Sequence, residues 1–210
     1  MFQDFTGLQL VFVLVSLLIA MSIHEAMHAF TSHWLGDSTA EEQGRLTLNP
    51  LKHIDLYTTI LLPIVMIISG LPPIFAAKPV PFNPNRVRYD EFGVALVGIA
   101  GPLTNLVLAA FAALLFRFVP GYSNTVSDFL VIFTLINVAL FVFNLIPFPP
   151  LDGSRVLYAF APDPVRRVME AIESMGFFAI LFFIFVLYQF VGSTIVGINE
   201  SILRTLLGIS

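Results

Sequence analysis

The chain has no cysteine, and charged residues make up only 11% of its 210 positions. The missing cysteine excludes disulfides and thiolate metal ligands, and it leaves the redox compartment without a trace in the sequence. The scarcity of charge, set against 57% hydrophobic residues and a mean hydropathy of +0.89, excludes an ordinary soluble domain and makes the chain integral to a membrane. A net charge of −4 with scattered basic residues leaves no footprint for nucleic acid. The opening MFQDFTG has no basic stretch of the kind that begins a signal peptide, so the first apolar run is expected to be kept as a helix. Internal repeats, heptad seams and low-complexity tracts are also missing, and the polar connections are too short for a separate soluble domain, so residues 1–210 read as a single integral-membrane domain.

What the chain does have is long uncharged runs: Phe5 to Ile23, Leu56 to Ala77, Phe92 to Phe116, Phe129 to Leu151 and Ser174 to Asn199. Each is near or above the ~20 residues that a spanning helix needs. The first helix is expected from about Gly7 to Trp34, ended by Gly36-Asp37. Pro63, Gly70, Pro72 and Pro73 interrupt the second run, and the prolines of Lys78 to Glu91 favour extended backbone over helix. A helix from about Phe92 to Phe118 carries Gly93, Gly98 and Gly101, small enough for a neighbouring backbone to approach, which marks it as central. After a Pro120-Gly121 turn, a fourth helix from about Ser127 to Leu145 runs into Pro147, Pro149 and Pro150 and must end there. Asp163 to Met175 reads as a short amphipathic helix, Phe177 to Gly192 as a last span, and Ile195 to Ile209 as an interfacial tail. The expected fold is therefore an all-α polytopic bundle of four to six transmembrane segments with one short extended or re-entrant element.

At the end of the first run stands His24-Glu25-Ala26-Met27-His28. In a helix, positions i and i+4 are about 40° apart and about 6 Å along the axis, so both imidazoles can reach one cation with Glu25 beside it. This is the H-E-x-x-H arrangement of zinc hydrolases. Ionisable groups inside a membrane span are costly and by default are candidates for function. The competing view makes His24 and His28 core histidines bonded to neighbouring helices, but with four histidines in the chain a chance match has odds on the order of one per cent or less. His33 is rotated to the other side of the helix and His53 lies in a polar stretch, so both read as interfacial or surface residues.

Catalytic zinc usually takes three protein ligands. The candidate for the third is Asp152, delivered by a helix broken at Asn144-Leu145-Ile146-Pro147-Phe148-Pro149-Pro150-Leu151-Asp152-Gly153. Broken backbone at membrane depth is tolerated where it lines a protein-buried or watered cavity. The plainer reading makes Asp152 a cap for the helix that follows. With both motifs present, HEAMH followed by NLIPFPPLDG, the chain resembles the site-2 protease family of intramembrane zinc metalloproteases. GRLTLNPLKHID and AKPVPFNP look like its small bacterial and archaeal members, which carry no PDZ or CBS domain. That resemblance covers most of the chain and includes Gly101-Pro102-Leu103-Thr104-Asn105, similar to a G-x-x-x-N element between the two motifs. It implies one Zn2+ per chain on His24, His28 and Asp152, between the first and fourth helices, with Glu25 as catalytic acid and base. Asn144 would assist at the site, and Asn105 would lie close to substrate.

The activity so implied is hydrolysis of peptide bonds in or near transmembrane segments of membrane-protein substrates, as in regulated intramembrane proteolysis. A silent scaffold or binding relative would show a changed Glu25 or ligand, and a transporter would need no i, i+4 histidine pair. If Leu56 to Ala77 re-enters, eight of the ten basic residues share the face where the ligands meet, leaving Arg117 and Arg204 opposite. By the positive-inside rule that face is cytoplasmic, in a multi-pass protein of the plasma membrane with its active site reached from the cytoplasm.

Overall fold

The computed structural model describes residues 6–53, 78–118 and 123–208. The expected re-entrant segment Leu56 to Ala77 and the Pro120-Gly121 turn lie outside the described residues. All regular structure among the described residues is helical: α1 (Gly7–Trp34), α2 (Thr39–Glu42), α3 (Asp90–Phe118), α4 (Asn124–Asn144), α5 (Gly153–Phe160), α6 (Asp163–Ser174), α7 (Phe177–Phe182) and α8 (Tyr188–Leu207). Among them, α1, α3, α4 and the joined run Phe178–Leu207 are long and apolar enough to cross a membrane. The protein is thus a multi-pass helical bundle.

Helix α1 begins at a capping box, with the Thr6 hydroxyl accepting from the Gln9 N–H and the Gln9 side chain accepting from the Thr6 N–H. It ends before Gly36, whose φ of +105° lies in the left-handed region that glycine adopts without strain. The buried positions Ser16, Ala20, His24, His28 and Ser32 recur every four residues and form one slowly drifting stripe. Three of the five are small, so α3 can approach the two imidazoles closely. Helix α3 contributes its glycines to the same end: a Cβ on Gly101 would stand 2.4 Å from His28 Nε2, and one on Gly98 would stand 3.0 Å from the Asp152 carbonyl oxygen. Helix α3 is therefore central, packed on α1, α4 and α5 at once.

The last helix departs from the expected break into span and interfacial tail. A π-helical turn at Phe183–Leu187 joins α7 to α8, and the helix then continues to Leu207. Ile195, Ile202, Leu203 and Leu206 pack against Ala109 of α3 and Val138 and Val142 of α4. Glu200 and Arg204 made this stretch read as amphipathic, yet its apolar side faces the bundle.

The two ends of the bundle are defined by cross-links between loops. At one end Arg88 N–H donates to the Leu35 carbonyl (2.9 Å), Asn83 N–H to Asp37 (2.7 Å), and Arg166 pairs with Glu91 (2.8 Å). His53 and Lys78, which flank the undescribed segment, are joined there by a backbone hydrogen bond of 2.9 Å. At the other end Arg117 donates to the carbonyls of Thr205 and Leu206. His53 is a correction to the surface expectation: it is 2% exposed, with Nε2 2.9 Å from the Thr47 carbonyl, because the loop after α2 folds over its ring. His33 is exposed beside Glu41, as expected.

Candidate metal centre

Breaking α4 after Asn144 delivers the carboxylate. Prolines 147, 149 and 150 forbid further helix, a cis peptide joins Pro149 to Pro150, and the chain turns so tightly that Gly153 passes under the end of α4. A Cβ on Gly153 would lie 2.2 Å from the Leu145 carbonyl oxygen, so only glycine fits. Asp152 occupies the N-cap position of α5, but its side chain makes no capping hydrogen bond. The capping role that competed with the ligand role is not played.

Asp152 faces α1 instead. Its Oδ2 lies 3.0 Å from His24 Nε2 and 3.3 Å from His28 Nε2, and the two Nε2 atoms are 3.0 Å apart. His24 Nδ1 lies 2.6 Å from Asn105 Oδ1, and His28 Nδ1 lies 2.7 Å from the Val97 carbonyl. Both partners are acceptors, so each Nδ1 carries the proton and each Nε2 presents a lone pair. Two ring lone pairs and a carboxylate oxygen therefore face one another, and the short contacts to Asp152 are not hydrogen bonds. Asp152 Oδ2 is indeed buried with no hydrogen-bond donor among the described residues. Three acceptors converging in this way repel unless a cation lies between them. Donors on a tetrahedral zinc, with bonds of 2.0–2.1 Å, stand roughly 3.3 Å from each other, and the observed triangle is close to that. The donor set of two imidazoles and one carboxylate suits zinc.

Glu25 flanks this triangle on α1, half-buried, and its Oε2 accepts from the Val80 N–H at 2.9 Å. Val80 belongs to the proline-rich strap Lys78 to Asn83, which is tied down twice. Buried Arg45 donates to the Lys78 carbonyl (2.6 Å), and Asp37 accepts from the Asn83 N–H. Burial alone would push the Asp37 carboxyl up, but the Thr39 hydroxyl, the Asn83 and Thr39 N–H groups and the Arg86 guanidinium hold it below the usual carboxylate range.

The two asparagines singled out by resemblance are placed differently from each other. Asn144 is the last residue of α4, with its amide donating to the Leu140 carbonyl at 3.0 Å. Asn105 is fully buried and lies against His24. Sequence reasoning passed over Asn137, which is fully buried and bonded to Asn105 at 3.0 Å. A lone amide inside an apolar span was the available signal. Gly101 was read as a helix-packing residue, and its place against the imidazoles depends on pairing with α1 that no local pattern encodes.

Comparison with known proteins agrees with this geometry. Residues 121–187, which include Asp152, match the profile of Peptidase family M50. Over 178 residues the chain is 37% identical to "Putative zinc metalloprotease YwhC" of Bacillus subtilis, an alignment covering 81% of this chain and 78% of that one. The chain belongs to the M50 family. Family membership makes it a zinc metalloprotease of the site-2 type. This M50 protease is also 29% identical over 178 residues to "Putative zinc metalloprotease Rip2" of Mycolicibacterium smegmatis, covering 81% of the chain and 65% of that relative. With the Rip2 of Mycobacterium tuberculosis strain H37Rv it shares 28% over 192 residues, 89% of the chain and 69% of the relative. No solved structure matches it significantly.

Proposed function

We propose that this M50 protease hydrolyses peptide bonds in or near transmembrane segments of membrane-protein substrates, as a single domain over residues 1–210. One observation carries the reading: the metal-facing atoms belong to residues six and ten positions before Trp34, the end of an apolar helix. At 1.5 Å per residue, His28 and His24 lie roughly 9 and 15 Å inside that end, at the depth of a substrate's own span.

His24, His28 and Asp152 are assigned as the zinc ligands. Bound zinc supplies Lewis acidity, polarising the scissile carbonyl and acidifying the attacking water. Glu25 takes the proton from that water as its oxygen bonds to the carbonyl carbon, then delivers it to the amide nitrogen as the C–N bond breaks. The Val80 N–H fixes one Glu25 oxygen and so orients the carboxylate. Asn144, at the mouth of the broken helix, is assigned an auxiliary role toward the substrate backbone.

Water must reach this depth. A polar pocket of about 620 Å³, lined by Asn85, Glu91, Val94 and Arg155 among others, opens at the loop-rich end. Val94 is one turn from Val97, which bonds His28, and Arg155 is one turn from Asp152. That end carries eight of the ten basic residues, which supports a cytoplasmic face in the plasma membrane. The backbone hydrogen bond between His53 and Lys78 puts these two residues on one face with the other basic loops, which supports the same sidedness.

The test compares membrane-protein fragments in cells carrying the wild-type chain or Glu25→Gln. Fragments derived from transmembrane segments should vanish with the variant while full-length substrates accumulate. Identical fragment profiles would refute the proposal.

A further inference from the structure

We propose that Asn105 and Asn137 are positioning residues of the metal centre: a two-amide relay, running from α4 through α3 to α1, that sets the tautomer and ring plane of His24. The inference rests on the reading of His24 as a ligand and adds what holds that ligand ready.

The direction of the relay follows from its far end. Asn137 Nδ2 lies 2.9 Å from the Phe133 carbonyl, which only accepts, so the nitrogen of this amide is on that side and its oxygen on the other. The oxygen lies 3.0 Å from Asn105, whose facing atom must therefore be the donor Nδ2. That nitrogen also lies 3.4 Å from the Ala20 carbonyl, a second acceptor that enforces the same orientation. Asn105 is left presenting Oδ1 to His24 Nδ1 at 2.6 Å, and an oxygen without protons compels the ring nitrogen to donate. Nε2 is then the lone-pair atom aimed at the metal. Neither amide orientation can be reversed without setting carbonyl against carbonyl.

Both asparagines are 0% exposed, so water cannot take over either role. Ligand histidines are commonly oriented by an acceptor on the second ring nitrogen, and losing such a partner typically costs 10- to 100-fold in metal affinity. His28 uses the Val97 backbone carbonyl for this purpose, which no substitution can remove, whereas His24 depends on side chains from two other helices. The relay thereby makes the metal site conditional on the packing of α1, α3 and α4. The competing account treats the pair as polar glue between membrane helices, with no bearing on the metal.

The experiment uses the full chain, purified in lipid nanodiscs, with His24→Ala, Asn105→Leu, Asn105→Asp and Asn137→Leu. Zinc affinity is measured by chelator competition, the visible bands of the Co2+-substituted protein report ligand geometry, and thermal unfolding of the metal-free chain reports packing. Asn105→Leu should weaken zinc by about 10- to 100-fold and alter the Co2+ bands. Asn137→Leu should weaken it less, and Asn105→Asp, which keeps an acceptor against His24, should retain affinity far closer to the wild type. Wild-type zinc affinity and Co2+ bands in a folded Asn105→Leu variant would overturn the relay. If that variant fails to fold, Asn105→Asp decides: retained zinc supports the relay, and a loss as large as that of His24→Ala overturns it. If His24→Ala itself binds zinc normally, the ligand assignment fails instead, so the two failures are distinguishable.

Discussion

Each imidazole at this site donates on one edge and offers a lone pair on the other, and that asymmetry separates the roles of adjacent residues. His24→Ala, His28→Ala and Asp152→Ala should each lose zinc and activity together. Glu25→Gln should keep zinc and lose roughly 10²- to 10⁴-fold in turnover, since only the proton-transferring group is altered. Metal content of the purified variants checks this, and full zinc in a His24→Ala, His28→Ala double variant would refute the ligand set. Gly101→Ala supplies a steric counterpart. Its Cβ would stand 2.4 Å from His28 Nε2 and 2.7 Å from His24 Nε2, inside the contact distance of real Cβ atoms. Zinc affinity should fall as the rings are pushed aside, though no ligand or charge has changed; a Gly101→Ala protein with normal zinc affinity would show that α3 yields instead.

Among the elements, local chemistry decided what could be read ahead of the structure. The limits of α1 were legible at both ends, because Gly36 stops the helix and its apolar run is unbroken. The break after α4 was legible for the same reason: proline acts on its own backbone whatever surrounds it. The continuation of the last helix to Leu207 was not, since an apolar side chain beside a charged one looks alike whether it meets lipid or a neighbouring helix. Nor was the pairing of Asn105 with Asn137, which joins two helices through residues 32 positions apart. The burial of His53 escaped notice because a polar stretch hides a ring that its own loop covers.

The clamp at Asp37 is an interaction between elements, and its sign is fixed by its chemistry. A carboxyl held below its ordinary range in the folded state stabilises the fold above the unfolded value of about 3.9, and that contribution is lost as pH falls below it. Asp37→Asn should therefore lower the stability of the metal-free chain at neutral pH by about 1.5–3 kcal/mol, the range for hydrogen bonds to a charged group. The variant should also lose less than the wild type on acidification below about pH 4. Denaturation followed at pH 7 and pH 3 checks both; parallel losses in the two proteins would show that Asp37 does not supply the acid sensitivity.

For the whole molecule, the lack of cysteine makes the proposed sidedness of the bundle directly measurable. Asn85 and Asn124 are both exposed, the first among the strap and loops at the site end and the second at the start of α4. Single cysteines there should react with impermeant reagents from opposite sides, Asn85→Cys from the cytoplasm. Reaction of both from one side would refute the proposed topology.

Helix α1 is gripped at two heights: Asn105 and Val97 hold its imidazoles, and Asp37 just beyond its end holds the strap through Asn83. Side-chain tips ride about 5–6 Å from a helix axis, so a twist of about 20° would sweep an imidazole nitrogen through about 2 Å. That travel is as long as a zinc–nitrogen bond. The metal triangle would therefore be a sensitive gauge of any twist in α1, and Asp37 ties the strap to the end of that same helix. Whatever displaces Lys78 to Asn83 would be felt at the metal triangle, because Val80 holds Glu25 and Asn83 is held at the end of the helix that carries both imidazoles.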